Sequence, residues 1–173
     1  MVFSMLHSPR ILVLGLGRID RGDAGIGLHL ARSLRAALDG VDVEEAPEDA
    51  SYVDIFESYD VMIVLDAICL SSEVGRVLVV SPYSLEDLRE AGDSQLEKLG
   101  EAMEAARVHG HRLPRIEIVG VCLGDPGGRN AAAKGELSKE IRGKYDVILA
   151  RVKGVVTDLI RNARSASPLA SGR

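Results

Sequence analysis

Three observations predict an α/β fold built on a mainly parallel sheet. The run Ile11–Gly15 is apolar or small throughout, and it passes through a glycine-punctuated loop into a helical pattern. A second continuous apolar run, Val61–Leu65, reads as a strand buried on both faces, as central parallel strands are. Strand-like and helix-like segments then follow in the order β-α-β-α-β-β-α-β-α. Together these predict a three-layer α/β/α sandwich around a mainly parallel five-stranded twisted sheet with an antiparallel edge strand.

Residues 1–9 form a short lead that ends at Pro9, and the first strand covers Arg10–Gly15. The first helix runs over 23–38. Its apolar residues Ile26, Leu30, Leu34 and Leu38 recur every four positions, Asp23 can serve as its N-cap, and Gly40 stops it. Val41-Asp42-Val43 alternates as a second strand, and the acidic run 44–49, broken by Pro47, reads as a loop. A short helix over 51–58 uses Val53 and Phe56 as its apolar contacts. The third strand, Val61–Leu65, ends at Asp66.

Gly75–Val80 follows after a short connection and is therefore predicted antiparallel at an edge. Residues 84–92 read as a loop or single turn. The helix over 93–108 carries Leu96, Leu99, Met103 and Ala106 on one stripe, and His109-Gly110-His111 ends it. Ile116–Val121 is the fifth strand, and 124–134 is a loop rich in Gly and Ala. Ser138 caps a long final helix whose stripe is Ile141, Tyr145, Ile148, Val152, Val155 and Leu159. One domain over 1–164 and a disordered tail over 165–173 are expected.

The bulk properties set limits. The chain has 173 residues, 46% of them hydrophobic, so a folded core is affordable. Aromatic residues are only 3%, so that core is aliphatic. A formal net charge of −5 argues against nucleic acid as a partner. No apolar run approaches the length of a membrane span, and the start MVFSMLHSPR lacks the basic and apolar regions of a signal peptide. Two cysteines, Cys69 and Cys122, are too few for a disulfide framework or a zinc cluster. They are expected as free thiols in a reducing cytoplasm.

Right-handed crossovers place the first and third strands side by side, and a crevice opens between their carboxyl ends. The 16–23 loop and Asp66 point there. A dinucleotide fingerprint fails: Gly15-Leu16-Gly17 starts it, but Asp20 stands where the third glycine belongs. No nucleotide cofactor is expected. Carboxylate chemistry fits better. Asp66 follows a buried apolar strand, where an uncompensated charge is costly, so it requires a cation, a metal or a hydrogen-bond donor. Asp20 and Asp23 approach from the neighbouring loop. Each also has a plainer role open to it: a turn residue for Asp20, a helix cap for Asp23, a strand-end turn for Asp66.

The motifs resemble those of the NiFe-hydrogenase maturation endopeptidases. That family has a strand followed by a G-x-G-N-x-L-x-x-D-(D/E)-G-x-G loop, a later strand ending in D-A, and a helix opening on an S-x-H-x-x-G-L segment. Here the loop reads Gly15-Leu16-Gly17-Arg18-Ile19-Asp20-Arg21-Gly22-Asp23-Ala24-Gly25-Ile26-Gly27, and Leu65-Asp66-Ala67 follows in order. The resemblance covers roughly residues 10–160. It implies a peptidase that removes the C-terminal extension of a hydrogenase large-subunit precursor, directed by nickel that the precursor already carries. It makes Asp66 a contact to that metal. Two further positions depart from the pattern. Ala24 stands where the loop carboxylate belongs, beside Asp23, and the loop Asn is Arg18. No His lies between Asp66 and Val108, where Gln95 or Glu97 is the nearest substitute. Asp66, Asp23 and Glu97 are thus the candidate metal contacts, with Asp66 also the candidate catalytic group. Two other functions stay open: a member without catalysis that binds the precursor as a chaperone or scaffold, and a small-molecule-binding α/β protein.

Overall fold

A computed structural model describes residues 8–46, 49, 51–69, 72–82, 94–124 and 135–166. Its strands are β1 (Ile11–Gly15), β2 (Asp42–Glu45), β3 (Val61–Ile68), β4 (Val77–Val80) and β5 (Arg115–Cys122). Its helices are α1 (Ile26–Leu34), α2 (Tyr52–Ser58), α3 (Ser94–Val108) and α4 (Lys139–Ser165), with a 3-10 segment over Ile19–Gly25. The sheet order is β2-β1-β3-β5-β4, with β4 antiparallel to β5 and every other pairing parallel. The predicted sandwich is the observed one.

Alternation along each strand divides the core into two layers. Ile11, Val13, Ile63, Leu65, Val119 and Val121 face α1 and α4, with Leu30, Leu34, Ile148 and Val152 packed on them. Leu12, Leu14, Met62, Val64, Ile118 and Cys122 face α2 and α3, and meet Phe56, Leu96, Leu99 and Met103. Because β1 leads outward to β2 and the chain then returns to β3 on the other side, β1 and β3 flank the point where the strand order reverses. Open α/β sheets form their crevice there.

Several boundaries differ from expectation. The first helix does not begin at Asp23. A 3-10 segment occupies 19–25, broken by positive φ at Gly22, and α1 starts at Ile26 after Gly25, which supplies no side-chain cap. Glu44 and Glu45 belong to β2 rather than to a loop, because their backbone continues the ladder with Leu14 and Gly15. Tyr52, not Val53, is the fully buried partner of Phe56 in α2. β3 runs past Asp66 to Ile68, since its pairing with β5 extends to Ile68↔Cys122. The fourth strand is antiparallel at an edge as expected, with β5 as its partner. On α4 the buried stripe drifts from the expected one to Val156, Ile160 and Ala163, as 3.6 residues per turn requires over 27 residues. Most of the expected lead, the 84–92 turn, most of the 124–134 loop and most of the tail lie outside the described residues.

Candidate functional site

The glycine loop and Asp66 are joined by backbone. Leu16 N–H donates to the Leu65 carbonyl at 2.8 Å, so the first residue of the loop is tied to the residue just before Asp66. α1 closes on the same point. A Cβ on Gly27 would overlap the carbonyl oxygens of Leu65 and Leu16, so only glycine lets the helix approach so near. Gly17 has φ +119°, and a Cβ there would strike the Ala24 carbonyl. These close approaches fold the loop into a tight cover over the carboxyl ends of β1 and β3.

Asp66 is 0% exposed. It has the parity of Met62, Val64 and Ile68, so it faces the α2–α3 layer. Its Oδ1 accepts a hydrogen bond from Ala67 N–H at 2.7 Å. Opposite it in register stands Gly120, where a Cβ would collide with the Ile68 side chain. The sheet beside Asp66 therefore carries no side chain from β5.

The other predicted residues are placed differently. Asp23 is half-buried, and its Oδ1 accepts from Ser138 N–H at 2.6 Å. Ser138 is the N-cap of α4, its Oγ accepting from Ile141 N–H at 3.2 Å. Asp23 thus pins the loop to the start of α4, on the layer opposite to the one Asp66 faces. Asp20 is exposed and takes two hydrogen bonds from Arg18, at 3.1 and 2.9 Å; that guanidinium holds its carboxyl below the usual range. Glu97 is exposed on α3, whereas Gln95, one turn position before Leu96, is 2% exposed. His111 binds Glu57 at 2.8 Å and His109 its own helix at Ala105 O, so both serve the α2–α3 end of the molecule. Ala24 is half-buried in the loop. Among the described residues no group of three or more His, Cys, Asp or Glu is placed to hold a metal ion.

Two features go beyond the sequence reading. Gln95, named there beside Glu97 as a substitute for the missing His, is the buried one of the two, at the first turn of α3. His29 is half-buried on α1, and among the described residues its Nε2 meets no hydrogen-bond partner. Burial and then Arg32 push its pKa down, against Glu45. Its place within the helical pattern of 23–38 gives no sign of this environment, which only the tertiary packing creates.

Comparison with known proteins points the same way as the motifs. The fold is that of the hydrogenase maturation proteases. The endopeptidase HybD from E. coli superposes with a TM-score of 0.67 at 20% identity, over 86% of this chain and 93% of that one. The NiFe-hydrogenase maturation protease HycI from Thermococcus kodakarensis KOD1 gives 0.60 at 22% identity, over 88% and 92%. In sequence, the hydrogenase expression/formation protein HupD of Rhizobium leguminosarum bv. viciae is 31% identical over 119 residues. That match spans 65% of this chain and 59% of HupD, so the chain covers about three fifths of that relative's length. No family model matches the chain. The fold and the sequence relative agree on the hydrogenase maturation family that the loop and strand motifs resemble. Among the described residues no helix is long and apolar enough to cross a membrane.

Proposed function

We propose that this protein processes a NiFe-hydrogenase large-subunit precursor, as an endopeptidase that removes its C-terminal extension. The substrate's own nickel directs the cut. Asp66 carries this reading: a wholly buried carboxylate at the reversal point of the sheet, beneath a loop that backbone bonding ties to its strand. A carboxylate there is screened from water, so a cation presented by a partner interacts with it more strongly than at an open surface. In this scheme the crevice receives the precursor's metal centre, and the anchored metal aligns the adjoining peptide bond for hydrolysis. Asp23, with one oxygen engaged by Ser138, and the exposed Glu97 are secondary candidates for contact. In this reading the protein works on its substrate in the cytoplasm and uses no nucleotide.

A second reading has its own support. Ala24 at the loop position and the commitment of Asp23 to α4 leave fewer donors than a metal-directed peptidase is expected to offer. A precursor-binding chaperone needs no more than the crevice and Asp66.

Incubation with nickel-loaded precursor separates the two. A shortened large subunit with wild type, and loss of cleavage in Asp66→Asn, is the peptidase result. The Asn side chain can still accept from Ala67 N–H, so the fold should survive. The rate should fall more than about 100-fold, beyond the cost of losing an outer-shell partner. A stable complex with no cleavage by wild type would replace the peptidase with the chaperone.

A further inference from the structure

We propose that Cys69 and Cys122 are a redox-responsive thiol pair that closes into an intramolecular disulfide when a peroxide is present. The placement comes from the sheet. Cys122 is the last residue of β5 and lies opposite Ile68, the last residue of β3; Leu123 N–H donates to the Ile68 carbonyl at 2.9 Å. Cys69 is the next residue after Ile68. Parallel strands lie about 4.8 Å apart and rise about 3.3 Å per residue, so the two Cα atoms stand about 6 Å apart. Disulfides span roughly 4.4–6.8 Å between Cα atoms. β3 ends at Ile68, so Cys69 is released from the alternation that would turn it to the opposite face.

Their environments divide the work. Cys122 is buried, and Cys69 is half-buried. Burial pushes the Cys122 thiol up, the Ser72 hydroxyl and Arg76 pull it back, and the charge of Cys69 adds to the rise, as a close neighbour's does. The more accessible Cys69 therefore meets the oxidant first, and Cys122 resolves.

The chemistry balances with hydrogen peroxide. The Cys69 thiolate attacks one peroxide oxygen and the O–O bond breaks. The sulfur gives up two electrons and becomes a sulfenic acid, and the expelled hydroxide takes up the proton the thiol had released and leaves as water. The Cys122 sulfur then attacks the Cys69 sulfur. The S–O bond breaks, and the hydroxyl departs as a second water with the Cys122 proton. Two thiols and one peroxide give one disulfide and two waters. The link would brace the exits of β3 and β5 three residues beyond Asp66.

The test uses the wild-type chain, treated with hydrogen peroxide, quenched with a thiol alkylator under denaturing conditions and mapped without reduction. The expected product is a monomer lighter by two hydrogens, containing a peptide pair joined through Cys69 and Cys122, and reversed by dithiothreitol. In Cys69→Ser the pair is absent and Cys122 stays alkylatable. Cys69 halted as a sulfinic acid, or joined to a second chain while Cys122 remains a thiol, would overturn the proposal.

Discussion

At the residue scale, Asp66 and Asp23 have opposite tasks. Asp66 lies inside a strand and accepts from the amide of its own neighbour Ala67, whereas Asp23 ties two distant segments together. Asp23→Ala should therefore cost stability, about 1–2 kcal/mol, because it leaves the Ser138 amide without its acceptor. Asp23→Asn, which keeps an acceptor oxygen, should cost less. Urea midpoints of the two variants check this. His29 makes a prediction about pH. Its folded pKa lies below the ordinary 6.5, so the unfolded chain takes the proton first. Its contribution is complete above that value and is lost as pH falls below it toward the folded pKa. Glu45, held below the ordinary 4.5 chiefly by Arg32, loses its contribution only at more acidic pH. Stability should thus begin to decline between pH 6.5 and 4.5, and His29→Gln should flatten that part of the curve in denaturant titrations. The sequence displayed Asp66 clearly, because a charge after five apolar residues is conspicuous. It could not display the partner of Asp23, since 115 residues separate the bonded groups.

At the scale of elements, glycine placement decides what can approach what. Gly27 lets α1 rest on the β3 backbone beside Asp66, and the oxygens a Cβ would meet are main-chain atoms that cannot swing aside. Gly27→Ala should destabilise by at least about 2 kcal/mol. Gly154, in the middle of α4, has open space around its Cβ position. Gly154→Ala should stabilise by about 0.5–1 kcal/mol through helix propensity. Thermal unfolding of the pair reads both signs at once. Nearly every element was legible from apolar period. The start of α1 was not: the acidic residue at 23 looks like a cap, but glycines at 22 and 25 favour a 3-10 segment, and the carboxylate is drawn away to α4. Glu97 and Gln95 show the same limit. Both sit near the start of α3, and only the packing of Leu96 and Leu99 decides that Gln95 is buried and Glu97 exposed.

At the scale of the molecule, two aliphatic layers clamp one sheet, and the strand order reverses between β1 and β3, the point at which open α/β sheets place their sites. Right-handed crossovers gave β1 beside β3, and the short connection after β3 gave an antiparallel edge strand; both are observed, with β5 between β3 and β4. What the sequence could not supply was the separation of the candidate contacts: Asp66 faces the α2–α3 layer, Asp23 is bonded to Ser138 at the start of α4, and Glu97 is exposed on α3. The peptidase and chaperone readings share one claim: Asp66 in this crevice senses the metal that the precursor carries. Affinity for nickel-loaded and nickel-free precursor, measured by titration calorimetry with wild type and Asp66→Asn, tests it. Wild type should prefer the loaded form by at least about 10-fold, or about 1.4 kcal/mol, and Asp66→Asn should bind both forms alike. Equal binding by wild type, or a preference that survives in Asp66→Asn, would contradict it.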